Sequence, residues 1–209
     1  MQTSYLDIRK ILDIEKWQQL QNSIALSTKL AIITVDYKGV SVTRHSYPCS
    51  FCKYVRDQPE LLNYCFKCDS RGGLEAARLN APYIYLCHCN IIDLAVPIVI
   101  DGKYIGAVMA GEVRLPPDEE NCLEKILISP TKALFENREV MRMYNDIPMA
   151  KFKDVEQCAR MLFEISNYIV EEANKKNMIL EMCSNLAGNK NLTNKEISFP
   201  GIRLKVFNM

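Results

Sequence analysis

Between residues 7 and 27, apolar positions return at helical spacing. Ile8, Ile11, Leu12, Ile14 and Trp17 gather on one side, Leu20 and Ile24 follow, and polar residues lie opposite. The spacing predicts one amphipathic helix. From 30 to 36 the rhythm changes to a β-branched run, LAIITVD, and Tyr37-Lys38-Gly39 offers a turn into 40–43, which together predict a β-hairpin. A helix over 59–79 comes next, opened by Pro59, whose missing N–H is harmless in a first turn, and closed near Asn80. A short strand is expected over 83–86. Residues 94–100 and 104–111 are two apolar runs joined by Asp101-Gly102, the strongest short hairpin signal in the chain, and they are expected to form the sheet centre.

After Pro116-Pro117 the pattern turns charged and predicts one or two shorter helices between 119 and 143, with a break at Ile147-Pro148. From 152 to about 183 one long helix is expected, carrying Val155, Ala159, Leu162, Ile165, Ile169 and Ala173 along one side. Its length, roughly 45 Å at 1.5 Å per residue, exceeds what a core of this size requires. Val155, Leu162 and Ile169 recur every seven residues, with Cys158 and Ile165 at the companion positions, which fits pairing with a second copy in a homodimer. Glu172 and Lys176 take the next seam positions, and a helix folded onto its own domain would show the same short run.

Lys38-Gly39 and Asp101-Gly102 are too tight to join parallel strands. The fold class expected is therefore α+β: a PAS-like antiparallel sheet with flanking helices and a long C-terminal helix, although GAF-like and other α+β folds satisfy the same order. The chain divides into a compact domain over 1–149, a signalling or dimerisation helix over 150–185, and a linker or truncated end over 186–209.

Composition narrows the functional classes. The 209 residues, 48% hydrophobic and 24% charged, can build one full core. Twenty-six basic residues against 25 acidic ones leave a net charge of +1, so nothing draws the whole chain to nucleic acid or anionic membrane, and DNA binding would need a region outside it. Asp7, Arg9, Lys10 and Asp13 interrupt the first sixteen residues, which leaves no signal-peptide core; a cytoplasmic protein without membrane contact is expected.

In a reducing compartment, nine cysteines read as metal ligands, reactive thiols or buried apolar residues rather than disulfides. Six fall between 49 and 89. Cys49 and Cys52 form one C-x2-C pair, Cys65 and Cys68 a second, and Cys87 and Cys89 bracket His88. Paired thiolates at that spacing can grip one tetrahedral zinc ion, with Zn–S bonds near ~2.3 Å. Thiol pairs that sense redox state, and plain buried cysteines, are the competing readings.

Taken in order, these motifs carry a resemblance. They are Phe51-Cys52-Lys53-Tyr54-Val55, then Cys65-Phe66-Lys67-Cys68-Asp69, then Tyr83-Ile84-Tyr85-Leu86-Cys87-His88, then Val96-Pro97-Ile98 with its glycine-containing hairpin, and finally Ala110-Gly111-Glu112. Their order over about 7–115 resembles PocR-type sensory domains. Three positions depart from the family pattern: Cys89-Asn90 stands where Ala-Gly is usual, and Glu112 where Gln is common. The resemblance implies that 1–149 is an effector-binding sensory domain. It would serve a transcription regulator whose AraC-type DNA-binding region is absent here, and it would sense a small diol or related hydrocarbon derivative. Matching the family pattern also favours Cys52, Cys65 and Cys87 as zinc ligands, with Cys49, Cys68 or Cys89 completing the set.

No nucleophile–base pair, carboxylate pair or phosphate loop has recognisable spacing, so binding rather than catalysis is expected. The candidate pocket walls are alternate strand positions: Val96, Ile98 and Ile100 on one strand, Val108 and Ala110 on the next. Tyr47, Tyr104 and Glu112 are the candidate hydrogen-bonding groups for effector hydroxyls. A cysteine-based redox or metal sensor is the alternative from a different class.

Overall fold

Two aspartates divide the first helical stretch. Asp7 accepts the N–H of Arg9 and caps α1 (Ile8–Ile11), and Asp13 accepts the N–H of Lys16 and caps α2 (Ile14–Thr28). A side chain that satisfies the free N–H groups of the second helix also ends the first, so the one amphipathic helix expected becomes two. The computed structural model describes residues 7–116, 119, 123–128, 133–188, 196–199 and 202–205. It divides into two units, 1–171 and 172–209.

In the first unit, β1 (Ala31–Asp36), β2 (Tyr83–Leu86), β3 (Ile92–Ile100) and β4 (Lys103–Val113) form one antiparallel sheet in the order β1-β4-β3-β2. The α+β class expected from the sequence is the one observed. The central hairpin turns at Asp101 and Gly102, with φ of 49° and 72°, the paired positive values of a tight two-residue turn. Pro97 sits beyond Ala95, the last β3 residue that β2 pairs with, on an open edge where a missing N–H is tolerated.

β1 pairs along its length with β4 rather than with the segment after Gly39. That segment meets β1 only through isolated bridges at Ser41 and Ser46, because Thr43 Oγ1 takes the N–H of Thr34 at 2.8 Å in place of a backbone carbonyl. The hairpin expected there is thus a turn with an irregular return.

The sheet's two faces carry different partners. Ile33, Val35, Ala95, Ala107 and Met109 pack with Cys68 and Ala76 of α4 (Pro59–Leu79) and with the fully buried Tyr85. Gly72 and Gly73 let α4 lie low, since a Cβ at either would meet the side chain of Tyr85 or Tyr104. On the opposite face, Thr34 faces α2. It accepts from Trp17 Nε1 at 2.7 Å and donates to Gln21 Oε1 at 3.0 Å, while Gln21 Nε2 reaches Ser46 Oγ at 2.8 Å.

A 3-10 turn at Ala133–Glu136 leads to α5 (Arg138–Asn145); the earlier part of the helical stretch expected after residue 119 lies largely outside the described residues. The long helix, α6, spans Phe152–Gly188. Val155, Ala159 and Leu162 are each 1% exposed, and Ser166 and Val170 are buried too. The expected dimer seam therefore runs, at Val155 and Leu162, through the first unit's own core. The second unit holds an antiparallel pair, β5 (Glu196–Phe199) and β6 (Ile202–Lys205), within the stretch read as a linker. No helix among the described residues is long and apolar enough to cross a membrane.

Candidate functional site

α3 (Ser50–Arg56), a helix that local periodicity did not reveal, opens at Cys49, whose Sγ accepts the N–H of Cys52 at 3.4 Å. It buries Phe51 and Val55 and ends at Arg56, which reaches across to Asp69 of α4 at 3.1 Å. α4 also supplies Cys65. The turn from β2 to β3 brings Cys87, His88 and Cys89 alongside, held by Cys87 N–H to Ile91 O at 2.9 Å and by Asn90 in a left-handed conformation. Cys65 Sγ lies 3.4 Å from His88 Nε2, and Cys89 Sγ lies 3.5 Å from His88 Nδ1.

The sheet completes the enclosure at an irregularity. Pairing of β3 with β4 shifts register between Ile92 and Asp93, opposite Gly111, and Glu112 follows with φ of 59°. A non-glycine residue in that conformation is strained, and here the strain belongs to the residue whose carboxylate closes the site. Glu112 Oε2 accepts the N–H of Cys49 at 2.6 Å. Its Oε1 is buried 3.1 Å from His45 Nε2 yet outside hydrogen-bonding alignment.

Between α3, α4, the β2–β3 turn and this irregular edge lies a cavity of about 30 Å³. Its walls include four thiols, from Cys52, Cys65, Cys87 and Cys89, together with Arg56, Asp69, Asp93, His88 and Glu112; Phe51, Val55, Ile91 and Ile92 supply the apolar side. Three carboxyls thus share one guanidinium. Burial pushes Asp93 and Glu112 well above the usual carboxylate range, helped by Asp69 beside the first and Cys49 beside the second. Asp69 is raised by burial although Arg56 pulls it down.

Burial, with Arg56 and Lys53 nearby, lowers His45 to about 3, so its contact with Glu112 is between neutral groups rather than an ion pair. Burial likewise lowers His88 to about 4, with Lys125 and Arg56 contributing. Thiol pairs polarise each other: Cys52 donates to Cys49 and brings it down to about 6, and Cys89 lowers Cys87 in the same way.

Of the expected ligand-facing residues, Glu112 lines this cavity. Val96, Ile98 and Val108 are closed into the sheet, on the Thr34 side opposite α4. Tyr47 is exposed at 47%. Tyr104 packs against the α4-side core, with a buried hydroxyl that finds no hydrogen-bond partner among the described residues. Of the expected metal ligands, Cys52, Cys65, Cys87 and Cys89 line the cavity and Cys49 stands beside it. Cys68 faces away, into the core beneath α4. Sequence reasoning missed Arg56, Asp69 and Asp93. One signal was present, an aspartate inside the apolar run Ile91-Ile92-Asp93-Leu94.

An antiparallel sheet with helices on its faces, and a partly open cavity of thiols, carboxyls and apolar side chains at one end, defines a domain built around one site. The chain matches the family described as the sensory domain found in PocR over residues 10–174, and it belongs to that family. It is also 34% identical over 109 residues to the regulatory protein PocR of Salmonella typhimurium (strain LT2). That match covers 52% of this chain and 36% of the other, so the chain spans little more than a third of that relative.

Proposed function

We propose that this domain is the effector-sensing part of a cytoplasmic transcription regulator, that it binds a short diol or related polyol in the cavity between α3, α4 and the β2–β3 turn, and that DNA is contacted only by a region outside this chain. The observation that carries the reading is the cavity's lining: a guanidinium and three carboxyls, two of them held protonated by burial, arranged around an apolar wall. Protonated carboxyls donate and carboxylates accept, which suits neighbouring hydroxyl groups that do both.

Size supports sensing over storage. A cavity of about 30 Å³ takes roughly two water molecules, so a three-carbon polyol enters only as the wall of α3 and α5 side chains gives way. That displacement is the differential contact a ligand needs in order to shift a conformational equilibrium. Structural zinc at the cysteines belongs to the same reading. So does pairing of α6 with a second copy, for which the exposed Met161 and Tyr168 remain available once Val155 and Leu162 are buried.

The test is a thermal-shift panel of short polyols. An effector at one hundred times its dissociation constant should stabilise the domain by about 2.7 kcal/mol, unchanged in amount after incubation. No shift from any polyol up to tens of millimolar overturns the effector class, and formation of product overturns the binding reading.

A further inference from the structure

We propose that Cys49, Cys52 and Glu112 form a divalent-metal site of the zinc class with one coordination position open to the cavity, and that an oxygen of the effector completes the shell. The second clause rests on the polyol reading above; the first stands without it.

The geometry assigns the ligands. One donor atom from each of these three residues lies within 4.8 Å of the other two, and this set is the one such group among the described residues. Tetrahedral ligands on bonds of 2.0–2.3 Å sit roughly 3.3–3.8 Å apart, so closing on an ion requires movements of about 1 Å. The chain prepares the arrangement from both sides. Cys49 and Cys52 are held together at the start of α3, where the Cys52 N–H already points at the Cys49 sulfur. Glu112 arrives from the sheet, 63 positions away in sequence, turned inward by its positive φ and fastened through Oε2 to the Cys49 N–H. That hydrogen bond leaves Oε1 buried without a hydrogen-bond partner of its own.

Three further observations give the site its character. Two thiolates with one carboxylate select zinc, cobalt or cadmium over magnesium or calcium. Three protein ligands leave a fourth position of the kind that holds water or substrate in open sites. Cys52 and Glu112 both line the cavity, which fixes the side to which that position opens. His45 Nε2 lies 3.1 Å from Glu112 Oε1 but outside the mutually close set, a neighbour that steadies the carboxylate rather than a ligand. The site differs from the cysteine-only set expected from spacing, because it leaves Cys65, Cys87 and Cys89 outside the shell.

Cobalt(II) titration of the reduced, metal-free full chain tests this directly. One equivalent should bind, with thiolate-to-cobalt charge-transfer bands of two sulfurs. Cys49→Ser and Cys52→Ser should each weaken binding at least 100-fold, Glu112→Gln should weaken it with the sulfur bands retained, and Cys87→Ser with Cys89→Ser should bind as the wild type does. X-ray absorption of the zinc-loaded wild type, which depends on no variant, should show two sulfur and two oxygen or nitrogen neighbours.

Sub-stoichiometric binding, a four-sulfur shell, or loss of metal on changing Cys87 and Cys89 overturns the site. Thiocyanate, a small exogenous ligand, should shift the cobalt d–d bands; unchanged bands overturn the open position whatever the effector is. Ethane-1,2-diol or propane-1,2-diol should shift them too. A diol that stabilises the protein while leaving the bands unchanged overturns the metal–effector contact and leaves the polyol reading intact.

Discussion

Replacing Arg56 with Met removes the guanidinium that faces Asp69, whose side chain is 1% exposed. The orphaned carboxyl then has two responses, and the cheaper one sets the loss. Remaining charged without a partner costs about 3–5 kcal/mol. Becoming protonated costs about 1.36 kcal/mol for each pH unit above the ordinary aspartate value of 3.8, which is roughly 1.6 kcal/mol at pH 5 and roughly 5.7 kcal/mol at pH 8. Because Asp69 is raised even beside Arg56, the wild type already bears part of this cost, and the variant should lose up to roughly 1.6 kcal/mol at pH 5 and up to about 3–5 kcal/mol at pH 8. Against a total stability of about 5–15 kcal/mol, the second figure is severe. The sign follows from linkage: a group whose folded pKa is raised contributes stability below its unfolded value and loses it as pH rises. Urea unfolding followed by circular dichroism at pH 5, 6.5 and 8 measures the effect. Adding Asp69→Asn to the variant should restore most of the loss and flatten its pH dependence. A loss under about 1 kcal/mol at pH 8, equal losses at pH 5 and pH 8, or no rescue by Asn would refute the claim that Arg56 and Asp69 form a desolvated pair.

His45 and His88 have folded values of about 3 and about 4, below the unfolded 6.5, so the unfolded chain takes up protons first and stability falls as pH drops through 6.5. Each histidine should contribute a loss of about 1.4 kcal/mol at pH 5.5, and in His88→Gln the fall between pH 7.5 and 5.5 should be smaller by that amount in urea midpoints. Leu162→Ala removes a side chain buried in the first unit and should cost about 2–5 kcal/mol with no change of mass by light scattering; a folded protein of lower mass would return Leu162 to a seam between copies.

Much of the scaffold is legible locally because its signals are local. Asp101-Gly102 demands a tight turn, and the apolar runs beside it become β3 and β4. Pro59 and Asn80 bound α4 where a first-turn proline and a left-handed cap belong. Alternation along β3 and β4 likewise says that each strand has two faces. It does not say which face α4 covers, and Val96, Ile98 and Val108 lie on the other one. The site is illegible for the same reason at longer range. Arg56 meets Asp69 from a different helix, and Cys49 meets Glu112 across 63 positions. The turn of Glu112 toward Cys49 depends on a register shift between two strands, which neither strand's own sequence displays. Period, caps and turn residues act over a few positions, so the sequence by itself determined the fold class and the elements with strong local signals, but not α3, the break between α1 and α2, or the partner of β1. Docking of α4 on one face of the sheet, with α3 and the β2–β3 turn beside it, was decided only by tertiary packing and set which thiols and carboxyls share the cavity.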